Sequence, residues 1–290
     1  MLSLPFLCFR KKNVMRFRKF KENFATAILI SLLLVGLFLV LYPTVSDYWN
    51  SFHQSKAVAS YLEDVEDMEE SKKDSLREEA RVYNEKLPQN VTPSLQVSGY
   101  DKTLYNETFK VSKSGIMAYI EIPKLNTTLP IYHGTDETVL QVAIGHIPGT
   151  SFPIGGKGSH AVVSGHRGLP SARLFTDIDH LVEGDIFLIQ VLDETLTYQV
   201  DQILTVLPQE VSALRVDPNQ DYVTLTTCTP YGINTHRLLV RGHRVANLKG
   251  DVRVVSEASQ VEVLLIAPFI AILIFVVILL VVVVYRKWRQ

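Results

Sequence analysis

Hydrophobic and polar residues form three patterns along this chain, each typical of a different structural element. Two uninterrupted apolar runs lie near the ends, a helical stripe follows the first run, and short alternating runs fill most of the second half. Turns rich in Gly, Pro, Asn and Asp separate the alternating runs. Many short strands with few helices predict a mainly β fold, either a barrel or a sandwich. The predicted strands are 116–122, 128–132, 160–165, 185–191, 196–206, 222–228 and 237–242.

The helical pattern lies in residues 57–87, which contain neither Gly nor Pro. Apolar side chains recur there at three- and four-residue spacing, which predicts two helices or one broken helix within a helical segment 43–87. The acidic residues of 63–79 lack the loop spacing of a calcium site, so we expect no metal ion. Residues 88–114 lose the pattern and predict a long, lid-like loop.

The two apolar runs, 24–42 and 263–285, carry no charge and are close to the ~20 residues with which a helix crosses a membrane. Seven basic residues within 1–23 precede the first run, and three within 286–290 follow the second. Basic flanks favour the cytoplasm, so both termini are expected inside and the portion between the runs outside the cell. The first run is either an uncleaved anchor or a cleaved signal, and its length favours an anchor. Residues 251–262 are expected to form a polar linker.

Charge and cysteine content restrict the chemistry of the exported portion. The whole chain has a net charge of −1, so its basic ends leave the middle strongly acidic. An acidic domain does not neutralise phosphates, which argues against nucleic-acid binding. The two cysteines, Cys8 and Cys228, fall on opposite sides of the membrane and cannot pair. A lone exported cysteine is either inert and buried or a reactive thiol.

Cys228 lies at the end of the run YVTLTTC, and Arg237 opens the next run. Alternation puts Cys228 on the same face as Thr224 and Thr226, and a hairpin would bring Arg237 to a neighbouring position. A thiol with a pKa of about 8.5 is mostly protonated at neutral pH, so a nucleophilic cysteine needs a nearby base or cation. Arg237 is a permanent cation.

Four histidines are candidate bases for this thiol. His166, in AVVSGHRGLP, directly follows an apolar strand and is the first choice. His146, in AIGHIPG, has a similar setting, and His236 and His243 flank the Arg237 strand. Spacing alone leaves all four open.

The segments GIMAYIEIPKL, AVVSGHRGLPSARLFTDID and TLTTCTPYGINTHRLLVRGHR resemble the class C sortases, the pilin-polymerising branch of the Gram-positive sortases. The resemblance covers about residues 115–245. It implies a closed eight-stranded β-barrel over 115–250, with N-terminal helices and a transmembrane helix at each end. It also implies a transpeptidase without metal or cofactor, in which Cys228 is the nucleophile and acyl carrier, His166 the general acid/base and Arg237 the oxyanion or substrate stabiliser.

The substrates implied are pilin subunits at the extracellular face of the cell membrane. The enzyme would cleave their LPxTG-type sorting signals between Thr and Gly and join the Thr carbonyl to a lysine amine of another pilin. Release of the acyl group to water, as in a thiol peptidase, is the alternative for the same residues. Class C sortases carry a lid with an Asp-Pro-aromatic tripeptide, which 88–114 lacks, so Tyr100, Asp101 and Tyr105 are the lid candidates instead.

Two non-enzymatic alternatives remain. Cys228 is inert in a binding barrel, or the chain is itself a surface protein anchored through its C-terminus. The second alternative requires a Leu-Pro-x-Thr-Gly signal before the apolar tail, and no Leu-Pro of this chain continues in that way.

Overall fold

The computed structural model describes residues 5–87, 102–247 and 277 of the chain. Contacts divide the protein into two units, one formed by 1–43 with 260–290 and the other by 44–259. The second unit contains the β-barrel and its associated helices.

Helix α1 (Pro5–Glu66) begins in the first unit. It is the one helix among the described residues that is long and apolar enough to cross a membrane. The predicted linker 251–262, second span 263–285 and tail 286–290 lie outside the described residues, apart from Val277.

The helical segment before the barrel is divided between two helices, as its two apolar stripes indicated. Helix α1 stops at Glu66, and α2 (Glu70–Lys86) follows after a short break. Part of the expected loop 88–114 is instead helical, because α3 (Lys102–Glu107) forms there. Residues 88–101 lie outside the described part of the chain.

Eight strands form a closed barrel in the order β1-β2-β3-β4-β7-β8-β6-β5, which confirms the mainly β fold expected from the sequence. Neighbouring strands are antiparallel except for the pairs β2·β3 and β4·β7, which are parallel. A short helix α4 (Glu137–Leu140) precedes β3. The strands are β1 (Ile116–Ile122), β2 (Thr127–His133), β3 (Ile144–His146), β4 (Ser159–Ser164), β5 (Ile186–Val191), β6 (Glu194–Val206), β7 (Asp221–Thr229) and β8 (His236–Arg244).

Helix α1 fastens onto β1 through Tyr61, which is completely buried. The Tyr61 ring meets Tyr119 edge-on, with 6.0 Å between the ring centroids, and its hydroxyl donates to the Met117 carbonyl at 3.2 Å. The same hydroxyl accepts the Leu192 N–H at 2.7 Å. Burial of an aromatic ring combined with hydrogen bonds for its hydroxyl fixes the helix against the barrel wall.

The strands that carry the site are buried on both faces. Val163, Leu225 and Val240, paired in one row across β4, β7 and β8, belong to the main core. Successive residues alternate faces, and the opposite face carries a second apolar cluster. This outer cluster consists of Ile147, Val162, Leu214 and Leu239, with Leu204, Val206, Val211 and Ala213 packed against it.

Gly145 of β3 is expected to tolerate no side chain. A Cβ at this position would lie 2.0 Å from the Gly134 carbonyl oxygen, and this contact between two backbones cannot be relieved by a rotamer change. Gly145→Ala should therefore lower the free energy of unfolding by about 3 kcal/mol or more. Urea unfolding of the full-length protein in detergent, followed by circular dichroism, measures this loss.

Gly184→Ala is the matched control for this prediction. Gly184 has a φ of +95° but nothing within 4 Å of an added Cβ. Only backbone strain should cost stability there, about 1–2 kcal/mol. Equal losses in the two variants would contradict the packing argument at Gly145.

Candidate active site

Three strands bring the predicted site residues to one row at one end of the barrel. Cys228 on β7 is directly opposite Arg237 on β8. Strand β4 runs parallel to β7 with Ser164 opposite Thr226, so His166, two residues further on, reaches the level of Cys228. Because residues two apart in a strand share a face, Cys228 and Arg237 lie on the face of the outer cluster, and His166 follows the end of β4 at the level of Cys228.

The parallel pairing continues past the end of β4. The Gly165 N–H donates to the Thr226 carbonyl at 3.1 Å, and the Thr227 hydroxyl donates to the Gly165 carbonyl at 2.7 Å. These two bonds hold the backbone immediately before His166 against the backbone immediately before Cys228. The structure thereby fixes the level of the histidine relative to the thiol.

The three side chains differ in the partners they have. Cys228 is a half-buried free thiol. The Arg237 guanidinium uses Nη1 to donate to the carbonyls of His236 at 3.1 Å and Asn234 at 3.4 Å. Among the described residues the buried Nε2 of His166 has no hydrogen-bond partner. A buried polar atom without a partner is unusual, and such atoms are found where a group is kept for chemistry.

The next positions along the strands, on the same face as Cys228 and Arg237, combine one threonine with two leucines. One step further along the strands, on the same face, Thr226 is opposite Leu239, which is opposite Leu204. The Thr226 hydroxyl is buried and has no partner within the described chain. Cys228 and Arg237 thus border a buried pair, Thr226 and Leu239, the second of which belongs to the outer cluster.

His146, the rival of His166, has a structural role. It is completely buried, its Nδ1 accepts from the Tyr105 hydroxyl at 3.0 Å, and its Nε2 donates to the Ser151 carbonyl at 2.8 Å. Burial lowers the pKa of His146 to about 3, so the ring is neutral. A histidine with both nitrogens engaged in the core has no free atom for proton transfer to a substrate.

Tyr105 lies in the same cluster, which corrects its candidacy as a lid residue. It is fully buried, its hydroxyl accepts the Gly134 N–H at 2.9 Å, and its ring stacks on Phe152 with 5.5 Å between centroids. Its contacts anchor α3 to the barrel core and leave no side-chain surface to cover Cys228. The other candidates, Tyr100 and Asp101, lie outside the described residues.

The remaining two histidines are placed unfavourably for this thiol. His236 is paired with Thr229, one residue from Cys228, and therefore points to the opposite face of the sheet. His243 is paired with Tyr222, six residues from Cys228 and about 20 Å away along the strand.

Arg167 connects the two segments that leave the site, a contact that no sequence pattern indicated. Its Nη1 donates to the Thr229 hydroxyl at 3.2 Å, and its Nη2 forms an ion pair with Asp179. The guanidinium carbon lies 6.0 Å from the centroid of the Tyr231 ring. The residue after His166 thus contacts residues that follow Cys228, which links the two segments that carry the candidate base and nucleophile.

A cleft of about 560 Å³ lies at the other end of the barrel, between α2 and the loop 154–159. Several of the charged side chains that line it are paired with one another, for example Arg77 with Asp74 at 2.8 Å and Arg81 with Glu78 at 2.6 Å. No group of three or more metal-ligating side chains occurs in the part of the chain that the structure describes.

Acidification is expected to destabilise the barrel between pH 6.5 and 5. Burial lowers the pKa of His146 to about 3 and of His160 to about 4, whereas an unfolded histidine titrates near 6.5. The unfolded state therefore binds more protons below pH 6.5, and stability falls by about 1.4 kcal/mol per pH unit for each ring. The two rings together should cost about 4 kcal/mol at pH 5, measured by urea unfolding at pH 7.5, 6.5, 5.5 and 5.

His236→Asn provides the control for the pH dependence. Its ring nitrogen lies at the surface, 2.9 Å from the hydroxyl of the neighbouring Thr235. The variant should keep the wild-type slope of stability against pH. A flat wild-type profile over this range would show that the buried rings are protonated in the folded protein.

Known proteins share both the sequence and the architecture of this barrel. The Sortase domain family is matched over residues 120–245. Sortase D of Bacillus subtilis is 28% identical over 148 residues, which are 50% of this chain and 72% of the relative. The structure of sortase C1 from Streptococcus agalactiae is 48% identical with a TM-score of 0.62, and the match covers 66% of this chain and 99% of that one. The structure of sortase C from Streptococcus pneumoniae is 38% identical with a TM-score of 0.59, covering 66% and 97%.

These similarities extend over nearly the whole of each solved chain, and the structural neighbours named above are class C sortases. The strand order is that of a closed eight-stranded barrel. On this combined basis, the chain belongs to the sortase family.

Proposed function

We propose that this sortase is a class C cysteine transpeptidase that assembles pili. It cleaves LPxTG-type sorting signals between Thr and Gly and joins the Thr carbonyl to a lysine amine of another pilin. The observation that carries the proposal is the pairing of Cys228 with Arg237, together with the position of His166 two residues beyond the end of β4, which runs parallel to β7. The solved structure of Streptococcus pneumoniae sortase C bears on pilin substrate specificity, and another similar structure is that of sortase C1 of GBS pilus island 1.

In the first half-reaction the Cys228 thiolate attacks the carbonyl carbon of the sorting-signal threonine. Arg237, opposite Cys228 in the pairing of β7 with β8, donates hydrogen bonds to the oxygen that becomes negative. A preorganised donor of this kind contributes about 3–4 kcal/mol to transition-state stabilisation. His166, as imidazolium, protonates the leaving glycine amine, which departs as the C–N bond breaks and leaves a thioester on Cys228.

In the second half-reaction the acyl group passes to the acceptor lysine. The neutral ε-amine attacks the thioester carbonyl, and neutral His166 takes the amine proton. The C–S bond breaks, the thiolate returns to Cys228, and an isopeptide bond remains in the product. The imidazolium and thiolate that began the cycle are restored, so proton and charge balance without a cofactor.

The apolar run 24–42 is proposed as the membrane anchor of this enzyme. Helix α1 contains it and meets the length and hydropathy of a membrane span. The basic residues before the run place the N-terminus in the cytoplasm and the catalytic domain outside the cell. The predicted second span, 263–285, would return the C-terminus to the cytoplasm.

Product analysis with a purified pilin tests the proposed reaction. We expect boiling-resistant ladders whose junctions contain a threonine carbonyl joined to a lysine Nζ, identified by mass spectrometry after proteolysis. A pilin whose acceptor lysine is replaced by arginine should give no ladder and should yield slow hydrolysis instead. A product that ends in a free threonine carboxylate even with the intact acceptor would identify the enzyme as a thiol peptidase.

A further inference from the structure

The first helix carries an exposed apolar stripe just beyond the proposed anchor. Val45, Trp49 and Phe52 of α1 recur at spacings of four and three residues and so occupy one face of the helix. Their exposed fractions are 48%, 64% and 53%. Contiguous apolar surface of this kind marks a contact with a membrane or with another protein.

The opposite face of the same stretch is bound to the catalytic domain. The Arg173 N–H donates to the Asp47 carboxylate at 2.8 Å, and the Asn50 side-chain amide donates to the Ser171 carbonyl at 2.6 Å. The helix cannot rotate about its axis without breaking these bonds. The stripe is therefore held facing away from the barrel.

These contacts connect the stripe to the proposed active site. Ser171 and Arg173 belong to the loop that leaves the barrel at His166. That loop closes on itself, because the Phe175 N–H donates to the His166 carbonyl at 3.2 Å. The part of α1 that displays the stripe thus also supports the loop that carries the proposed acid/base, at the Cys228 end of the barrel.

We propose that Val45, Trp49 and Phe52 lie in the lipid headgroup region on the extracellular side of the cell membrane. This contact holds the Cys228 end of the barrel beside the membrane. The inference depends on the proposed anchor. The uncharged run ends at Tyr42, and helix α1 continues through Val45 with a rise of about 1.5 Å per residue, so Val45 is confined near the membrane surface. Tryptophan is enriched at that interface because its ring is apolar and its N–H is polar.

This placement determines whether the active site reaches a membrane-anchored or a soluble sorting signal. A sorting signal that lies directly before a membrane-embedded tail is itself confined to the membrane surface. An active site held at the same level reaches such a signal while the substrate is still anchored. The stripe therefore favours membrane-bound substrates over the same signal in solution.

The two tryptophans of the chain, Trp49 and Trp288, make the stripe directly observable. The variant Trp288→Phe leaves Trp49 as the sole tryptophan in full-length protein reconstituted into phosphatidylcholine–phosphatidylglycerol vesicles. Lipids brominated close to the headgroup should quench its emission at least twofold, and lipids brominated near the chain end should quench it less. For comparison, Lys157→Trp in a background without Trp49 and Trp288 places the tryptophan on the exposed loop at the other end of the barrel, where no quenching is expected.

The outcomes separate this inference from the proposal on which it rests. Unquenched Trp49 in a protein that resists carbonate extraction would overturn the interfacial contact and leave the anchor intact. Release by carbonate would overturn the anchor and the contact together. Disulfide-linked dimers of a Trp49→Cys variant, with unquenched Trp49 in the parent, would assign the stripe to a second copy of the chain and overturn the lipid contact.

Activity provides a second test of the same idea. The double variant Trp49→Glu, Phe52→Glu should cleave a short soluble LPxTG peptide at the wild-type rate. It should cleave the same signal fused to an apolar membrane-spanning segment at least tenfold more slowly in vesicles. Equal rates for wild type and variant on the anchored substrate would contradict the proposed placement.

Discussion

Cys228→Ala is expected to lower both cleavage and transfer by about 10⁴-fold or more, because no other described side chain in the row can carry the acyl group. The methyl group that remains fits the half-buried position, so the barrel should stay folded. The rate of cleavage of a fluorogenic sorting-signal peptide measures the loss. Mass spectrometry of the protein after mixing with peptide should show the acyl adduct on the wild type alone.

Cys8→Ala is the matched control, since Cys8 is the other cysteine of the chain and lies in the basic segment 1–23. This variant should cleave the peptide at the wild-type rate and form the same adduct. If Cys228→Ala kept more than about 1% of the activity, the thiol would not be the acyl carrier.

Arg237→Gln is expected to lower kcat/KM for peptide cleavage by about 10²–10³-fold, which is the usual effect of removing one oxyanion donor. Arg237 is directly opposite Cys228 in the register of β7 with β8, so its side chain is the proposed donor to the oxygen that becomes negative during attack. Arg237→Lys keeps the charge but loses the planar fork of donors, so it should recover only part of the rate. Steady-state kinetics of the fluorogenic peptide give kcat and KM separately.

Arg241→Gln controls for a loss of folding instead of chemistry. Arg241 lies on the same strand and face as Arg237, but its guanidinium is paired with Asp201 at 2.9 Å and stacked 4.2 Å over the Tyr222 ring. Its replacement should leave kcat/KM within about threefold of wild type, whatever it costs in stability. Equal losses for the two arginine variants would indicate that Arg237 acts through the fold.

Alternation and turn residues were sufficient to predict seven of the eight strands, because those strands are five or more residues long and keep one face in the core. Strand β3 escaped prediction since it has only three residues, one of which is Gly145. Helix α3 escaped for a related reason. Six residues do not form a stable helix alone, and α3 depends on the burial of Tyr105, which periodicity does not reveal.

The candidate site was accessible to sequence reasoning only where its residues are close in the chain. The hairpin between β7 and β8 is local, so the neighbouring positions of Cys228 and Arg237 followed from spacing. The place of His166 depends on the parallel pairing of β4 with β7, which joins distant segments and leaves no local pattern. For that residue the family resemblance supplied what spacing could not.

His146 and Arg167 illustrate the same limit from opposite sides. His146 has a local sequence similar to that of His166, and Arg167 directly follows His166. His146 is buried in an aromatic cluster, where its two ring nitrogens form hydrogen bonds with Tyr105 and Ser151. Arg167 is drawn across to Thr229 and Asp179 by contacts between loops that are far apart in sequence.

The parallel pairing of β4 with β7 also sets when the thiol acquires its chemistry during biosynthesis. In the chain the two strands are separated by β5 and β6, whereas Arg237 lies on β8, the last strand to be synthesised. A chain that ends before β8 therefore contains both Cys228 and His166 but lacks the proposed cation. The proposed site is complete only when β8 takes its place between β7 and β6.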